Sequence, residues 1–190
     1  EMFCVDRKFK TNLGLFILFT LAVTTPVVAG TLIGGTFTII ANPEREVSPA
    51  IAYNSDREEY LVVWYNDRPG NDDIRARRLD KNGNKVGEPI YISAGPGHDR
   101  RYPDVSYNIQ HNQYMVVWEN QKSGGFHSIR ARRVSGTGDL IDQNDIFIAG
   151  DDGNIMPLKP AIAYSFTSDR YMVVWSEIWH PTAAHTIYAQ

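Results

Sequence analysis

The sequence predicts an all-β fold of β-propeller blades: four-stranded antiparallel repeats of about 54–57 residues, assembled as an incomplete propeller. Three observations carry this. The apolar run Tyr60-Leu61-Val62-Val63-Trp64 returns as Tyr114-Met115-Val116-Val117-Trp118 and as Tyr171-Met172-Val173-Val174-Trp175. The Trp-to-Trp steps are 54 and 57 residues, and a proline (Pro49, Pro103, Pro160) stands 15 residues before each Trp. Short apolar runs rich in β-branched and aromatic residues read as strands covered on both faces, and recurrence at one spacing reads as a β-array.

In chain order, residues 1–29 read as a signal peptide. Arg7, Lys8 and Lys10 precede an apolar run of 11 residues, Leu13 to Val23, and Thr24 to Ala29 offer a cleavage site after Ala29. The run is short of the ~18–20 residues of a membrane span. Secretion or cell-surface display is therefore expected, with no stable membrane span. Cleavage would remove two acids and three bases, taking the net charge from −3 to −4 and removing Cys4, the sole cysteine. Glu1 stands before Met2, and Ile187-Tyr188-Ala189-Gln190 stops within an element that earlier copies continue; both read as marks of a fragment.

Residues 30–190 form the predicted propeller fragment. Within 30–48, Gly30, Gly34 and Phe37 match Gly83, Gly87 and Ile90 in spacing, so this stretch reads as the last strand of a preceding or closing blade. Blades then span 49–102 and 103–159, with a truncated one over 160–190. Strand one opens at each proline (Pro49 to Tyr53, Pro103 to Tyr107, Pro160 to Tyr164), and its small residues suit the crowded centre. Strand two is the Tyr-x-Val-Val-Trp run. Strand three, Ile74 to Leu79 and Ile129 to Val134, alternates Ile and Ala with Arg. Strand four is Ile90-Tyr91-Ile92 and Ile146-Phe147-Ile148.

Tyr53 to Tyr60, Tyr107 to Tyr114 and Tyr164 to Tyr171 are each 7 residues apart, whereas Trp to the strand-three Ile lengthens from 10 to 11 to 12. In a meander the two-to-three and four-to-one loops emerge on one face. Length variation gathers there, and loops on a rigid scaffold carry binding residues. The expected ligand-binding residues are Asp67, Arg68, Arg100, Arg101, Tyr102, Glu119, His127, Trp179 and His180, with His98, Asp151 and Asp152 on the same face. Tyr102 and Trp179 would suit stacking on sugar rings.

The acidic balance gives no electrostatic case for nucleic acid. Arg75, Arg77, Arg78, Arg130, Arg132 and Arg133 read as a solvated strand face paired with acids such as Asp72, Asp73 and Asp80. No cofactor is expected. The stretch Asn66 to Asp73 is dense in oxygen ligands that calcium would accept, but lacks the order of a dedicated calcium loop. The histidines read as surface loop residues without zinc spacing, and no catalytic residue can be named because no nucleophile elbow, phosphate loop or metalloprotease motif occurs.

The pattern Pro-x-[Ile/Val]-x-Tyr, Tyr-[Leu/Met]-Val-Val-Trp, Ile-x-Ala-[Arg/Gln] is similar to the blade repeat of secreted and surface β-propeller proteins of bacteria and archaea, over residues 30–190. It more loosely resembles sialidase-type blades, in which an acidic-Ile pair like Asp73-Ile74 opens an Arg-bearing strand, and kelch repeats in length. The Ser-x-Asp-x-Gly-x-Thr-Trp box of the sialidases is missing, and the paired glycines of kelch occur once, at Gly124-Gly125. The resemblance implies a secreted binding or scaffold module for glycan or protein ligands. Its alternative is an extracellular glycoside hydrolase, for which Glu119 and Glu177 are the nearest carboxylates. The remaining blades would come from further chain or from oligomerisation.

Overall fold

The computed structural model describes residues 35–41, 43–68, 70–150, 155–179 and 184–190. The expected leader, together with Asp151, Asp152 and His180, lies outside the described residues. Among those residues there are eleven β-strands and no helix. The first blade is β1 (Arg45–Asn54), β2 (Glu59–Asp67), β3 (Asp73–Asp80) and β4 (Lys85–Ser93), hydrogen-bonded in that order. The second repeats it with β5 (His98–Asn108), β6 (Gln113–Lys122), β7 (Phe126–Ser135) and β8 (Ile146–Gly150). The third has β9 (Ile155–Ser165), β10 (Arg170–Trp179) and β11 (Ala184–Ala189), with β10 in the middle. Every pairing is antiparallel.

The repeat register holds in space. Tyr53 pairs with Tyr60, Tyr107 with Tyr114 and Tyr164 with Tyr171, with ring centroids 5.0, 5.1 and 5.3 Å apart. Alternation along β2 and β3 puts Leu61, Val63, Ile74 and Ala76 on one sheet face, which packs against Tyr114, Val116 and Trp118 of the second blade. The next seam repeats this, with Val117, Ile129 and Ala131 against Val173 and Trp175. β5 meets β1 of the blade before it and β9 of the blade after it, as innermost strands do. Removing each large side chain from water contributes roughly 1.5–3 kcal/mol.

Residues 35–41, expected as a closing strand, carry no strand pairing. Ile39 and Ile40 instead lie against Val62 and Trp64, covering the first blade's outer face beside an apolar hollow of about 340 Å³.

The prolines do not open their strands. β1, β5 and β9 begin earlier, at Arg45, His98 and Ile155, and continue through a bulge. Val47 pairs with Tyr65 and Ala50 with Val63, so Ser48 and Pro49 together oppose Trp64. Tyr102 and Pro103 likewise oppose Trp118, and Lys159 and Pro160 oppose Trp175. A bulge tolerates the missing proline N–H inside a strand. The residue before each proline takes a left-handed conformation, with φ of 51° at Ser48, 51° at Tyr102 and 48° at Lys159.

The strand-three arginines are not a solvated face. Arg75 reaches Glu44 at 2.9 Å, Arg78 reaches Glu59 at 2.7 Å, Arg132 reaches Asp145 at 3.0 Å and Arg133 reaches Asp142 at 2.6 Å. Arg75 and Arg130 also stack on the strand-four rings of Tyr91 and Phe147, each 4.9 Å from the centroid. Asp80 instead closes its own hairpin, accepting from the N–H groups of Asn82 and Asn84.

Candidate functional site

The two-to-three and four-to-one loops do share a face. The Gly95 N–H donates to the Asp73 carboxylate, the Arg100 N–H to the Asp72 carbonyl and the Ser123 N–H to the Gly97 carbonyl. The bulges set three different side chains, Ser48, Tyr102 and Lys159, at equivalent positions of their blades, where an extra residue rotates the strand locally. Left-handed backbone costs a non-glycine residue roughly 1–2 kcal/mol, so the pairing on either side must hold it.

Tyr102 is the centre of the constellation. Its half-buried ring meets Tyr65 of the first blade edge-on at 5.9 Å, and the Lys159 amine of the third blade lies 5.2 Å from its centroid. Tyr65 and Glu119 occupy the same repeat position, directly after the blade Trp, and each reaches the bulge of the next blade. Tyr65 meets Tyr102 by its ring, while the Glu119 carboxylate accepts the Lys159 backbone N–H at 3.3 Å.

Asp72 and His127 are a second equivalent pair, two residues before the strand-three Ile, and both are buried. Arg101 Nε donates to Asp72 at 2.5 Å, and the Arg68 N–H donates to its other oxygen. Burial nonetheless pushes the Asp72 carboxyl above its usual range, the Arg101 hydrogen bond acting against that. In the next seam His127 Nδ1 lies 3.6 Å from Glu119. One seam thus holds an Asp–Arg pair where the other holds a Glu–His pair.

Of the residues expected from sequence, the structure brings together Arg101, Tyr102, Glu119 and His127. His127 is buried in β7 and not in a surface loop, because β7 begins earlier than the Arg-bearing pattern indicates. Arg100 is buried as well. Its guanidinium donates to the carbonyls of Asp72, Gly95 and His98, so those donors are taken up in tying the loops together. Asp67 pairs with Arg45 at 2.6 Å, and the exposed Arg68 pairs with Glu44 and Asp73. Trp179 ends β10, where its backbone pairs with Ile155 and Ala184. Glu119 and Glu177 both line the seam between the second and third blades, and both are buried; Glu177 accepts the Trp175 indole N–H at 3.2 Å. The carboxylates of the Asn66 to Asp73 stretch accept hydrogen bonds from Arg68, Arg101 and Gly95, and no metal-holding group of acids and histidines occurs among the described residues.

Tyr65, Asp72 and Lys159 escaped the sequence reading as site residues. For Lys159 the available signal is the position before each proline. Serine, tyrosine and lysine there, within otherwise matched repeats, mark variation on a constant scaffold.

No family model and no curated relative matches the chain. Solved structures do. The chain is similar to a thermostable family-43 glycoside hydrolase (TM-score 0.55, 13% identity, 79% of this chain and 55% of that one). It is also similar to an N-acetylgalactosamine deacetylase from F. plautii (TM-score 0.56, 10% identity, 76% and 49%). A third is an endo-arabinase from Bacteroides thetaiotaomicron (TM-score 0.52, 10% identity, 77% and 56%). The fold is built of β-propeller blades. At these identities the likeness speaks to fold alone, and the chain spans about half the length of the structures it matches.

Proposed function

We propose that this chain is part of a secreted or cell-surface β-propeller module that binds glycans on the face carrying the bulges. The observation that carries this reading is Tyr102. A tyrosine held in a left-handed conformation, with one ring neighbour and one amine neighbour supplied by the flanking blades, is a fixed aromatic platform with cations beside it. Such a ring suits the apolar face of a sugar, while Lys159 and the partly exposed Arg101 offer donors to its hydroxyls. The similar structures, a glycoside hydrolase, an endo-arabinase and an N-acetylgalactosamine deacetylase, are compatible with such a ligand.

A glycan-array screen followed by calorimetry tests it. Tyr102→Ala should abolish binding with the fold intact by circular dichroism, and Tyr102→Phe should retain most of it. Undiminished binding by Tyr102→Ala would refute the assignment. The second reading is glycoside hydrolysis with Glu119 as a participating carboxylate, favoured by its place beside the Lys159 bulge and His127. Turnover of arabinan or aryl glycosides, lost in Glu119→Gln, would move the assignment to enzyme.

A further inference from the structure

The row of blades exposes one half of a seam at each end, and the two halves match. In the first seam Val105 packs with Leu61 and Val63 of the preceding blade, and Tyr107 and Ala52 pack against the same cluster. The first-blade residues in register with Val105 and Tyr107 are Ile51 and Tyr53. Ile51 is 58% exposed where Val105 is 6% exposed, and Tyr53 is exposed as well. Ile39 and Ile40 cover Val62 and Trp64 beside them, so it is the inner half of this face, on β1, that meets solvent. At the other end Met172, Val174 and Ile187, in register with Leu61, Val63 and Ile74, are exposed on the third blade. Met172 borders a hollow of about 460 Å³ to which Ala163, the equivalent of Ala52, contributes along with Ser165 and Ser168.

The polar end of each seam matches too. The residue before strand two is left-handed in every blade: Glu58, Asn112 and Asp169, with φ of 52°, 44° and 49°. In the first seam Asn112 Oδ1 accepts from Asn54 Nδ2 of the preceding blade at 3.0 Å. In the second, Asp169 accepts from Asn108 Nδ2 at 3.1 Å and meets His111 Nε2 at 2.9 Å. These preceding-blade groups stand one and four residues after the strand-one Tyr. On the third blade those positions hold the hydroxyls of Ser165 and Ser168, and on the first blade the acceptor position holds the exposed Glu58 carboxylate.

We propose that two copies of this chain join head to tail, the first blade of each docking on the third blade of the other. Ile51 then lies on Met172 and Val174, Tyr53 enters the hollow, and Glu58 accepts from Ser165 and Ser168. The two surfaces differ, so the contact is heterologous, and such a contact either closes a ring or grows into a fibre. Three blades per chain make six from two copies, and propellers close with about four to eight, so a pair makes a ring and a third copy exceeds it. Each new seam repeats the internal ones, which sets the bulge faces of both copies on one side.

Sedimentation equilibrium of the full chain across a dilution series tests this. The expected species is a dimer that grows no further. Ile51→Lys, and separately Met172→Lys with Ile187→Lys, should each raise the dimer dissociation constant about tenfold or more, because either puts a charge into a buried contact. Both alter exposed side chains and should keep the wild-type circular dichroism; Tyr53→Ala probes the first-blade face again and should act in the same direction. An equimolar mixture of the two Lys variants should dimerise more tightly than either alone, because it restores one intact seam. Wild-type association in both first-blade variants, or a mixture no tighter than its components, would overturn the head-to-tail contact. A monomer at every concentration would assign the two faces to other residues of the chain or to another protein, and would overturn the proposal. Mass that climbs steadily with concentration would make the contact a fibre and overturn the ring.

Discussion

Single residues in this chain are set by neighbours from other strands more than by their own sequence surroundings. Asp142 accepts from the Arg133 backbone and guanidinium, and that hydrogen-bonding, partly opposed by burial, holds its carboxyl below the ordinary Asp range. A depressed folded-state value means stability present above the unfolded pKa of about 4 and lost as pH falls through the folded one. Asp142→Asn should therefore flatten the acid limb of a plot of urea midpoint against pH, and an unchanged limb would show the pair to be thermodynamically silent. Glu58 gives a test of opposite sign. It sits at φ 52° in the β1–β2 turn, its side chain exposed and ion-paired to the equally exposed Lys81. Glu58→Gly should raise stability by up to about 1 kcal/mol by relieving the left-handed penalty, read as a higher thermal midpoint.

At the scale of elements, the apolar strands could be read from the sequence because five apolar residues recurring at one register leave little choice of structure. Trp118 is fully buried, and Trp118→Ala should cost roughly 3–5 kcal/mol in denaturant unfolding. The bulges could not be read in the same way. A proline looks like a strand opener, and only the pairing of Arg101 with Glu119 and Asp104 with Val117 reveals that the strand runs through it. That error placed Arg100 in a loop. The arginine faces are hidden from the sequence for a related reason, since Glu59 meets Arg78 only through β2–β3 pairing, and Glu44 and Glu46 meet Arg75 only once β1, β2 and β3 have all paired. Gly150 is a local example of the same dependence. At φ 100° in β8, any Cβ there would press into the His127 carbonyl, so Gly150→Ala should destabilise the second blade by about 1–3 kcal/mol in thermal unfolding.

For the molecule as a whole, the seams explain why the third blade differs from the others. Ile74 and Ile129 have no exposed surface, whereas the equivalent Ile187 is 72% exposed, beside Met172 and Val174 on the same open face. Apolar sheet faces of this kind associate. The chain should self-associate at micromolar concentration in sedimentation velocity, and the double change Ile187→Lys with Met172→Lys should reduce that association. Equal sedimentation of the two proteins would show the face to be inert.

The left-handed residues before Pro49, Pro103 and Pro160 have one further consequence. The blade-to-blade rotation relates them, so they are interchangeable sockets: the backbone bears the conformational cost whichever side chain stands there. Recognition can then be rewritten at three addresses without disturbing the frame. On the proposed glycan reading, Ser48→Tyr would add a second aromatic platform, and calorimetry against the array hits of the wild type should then show tighter binding.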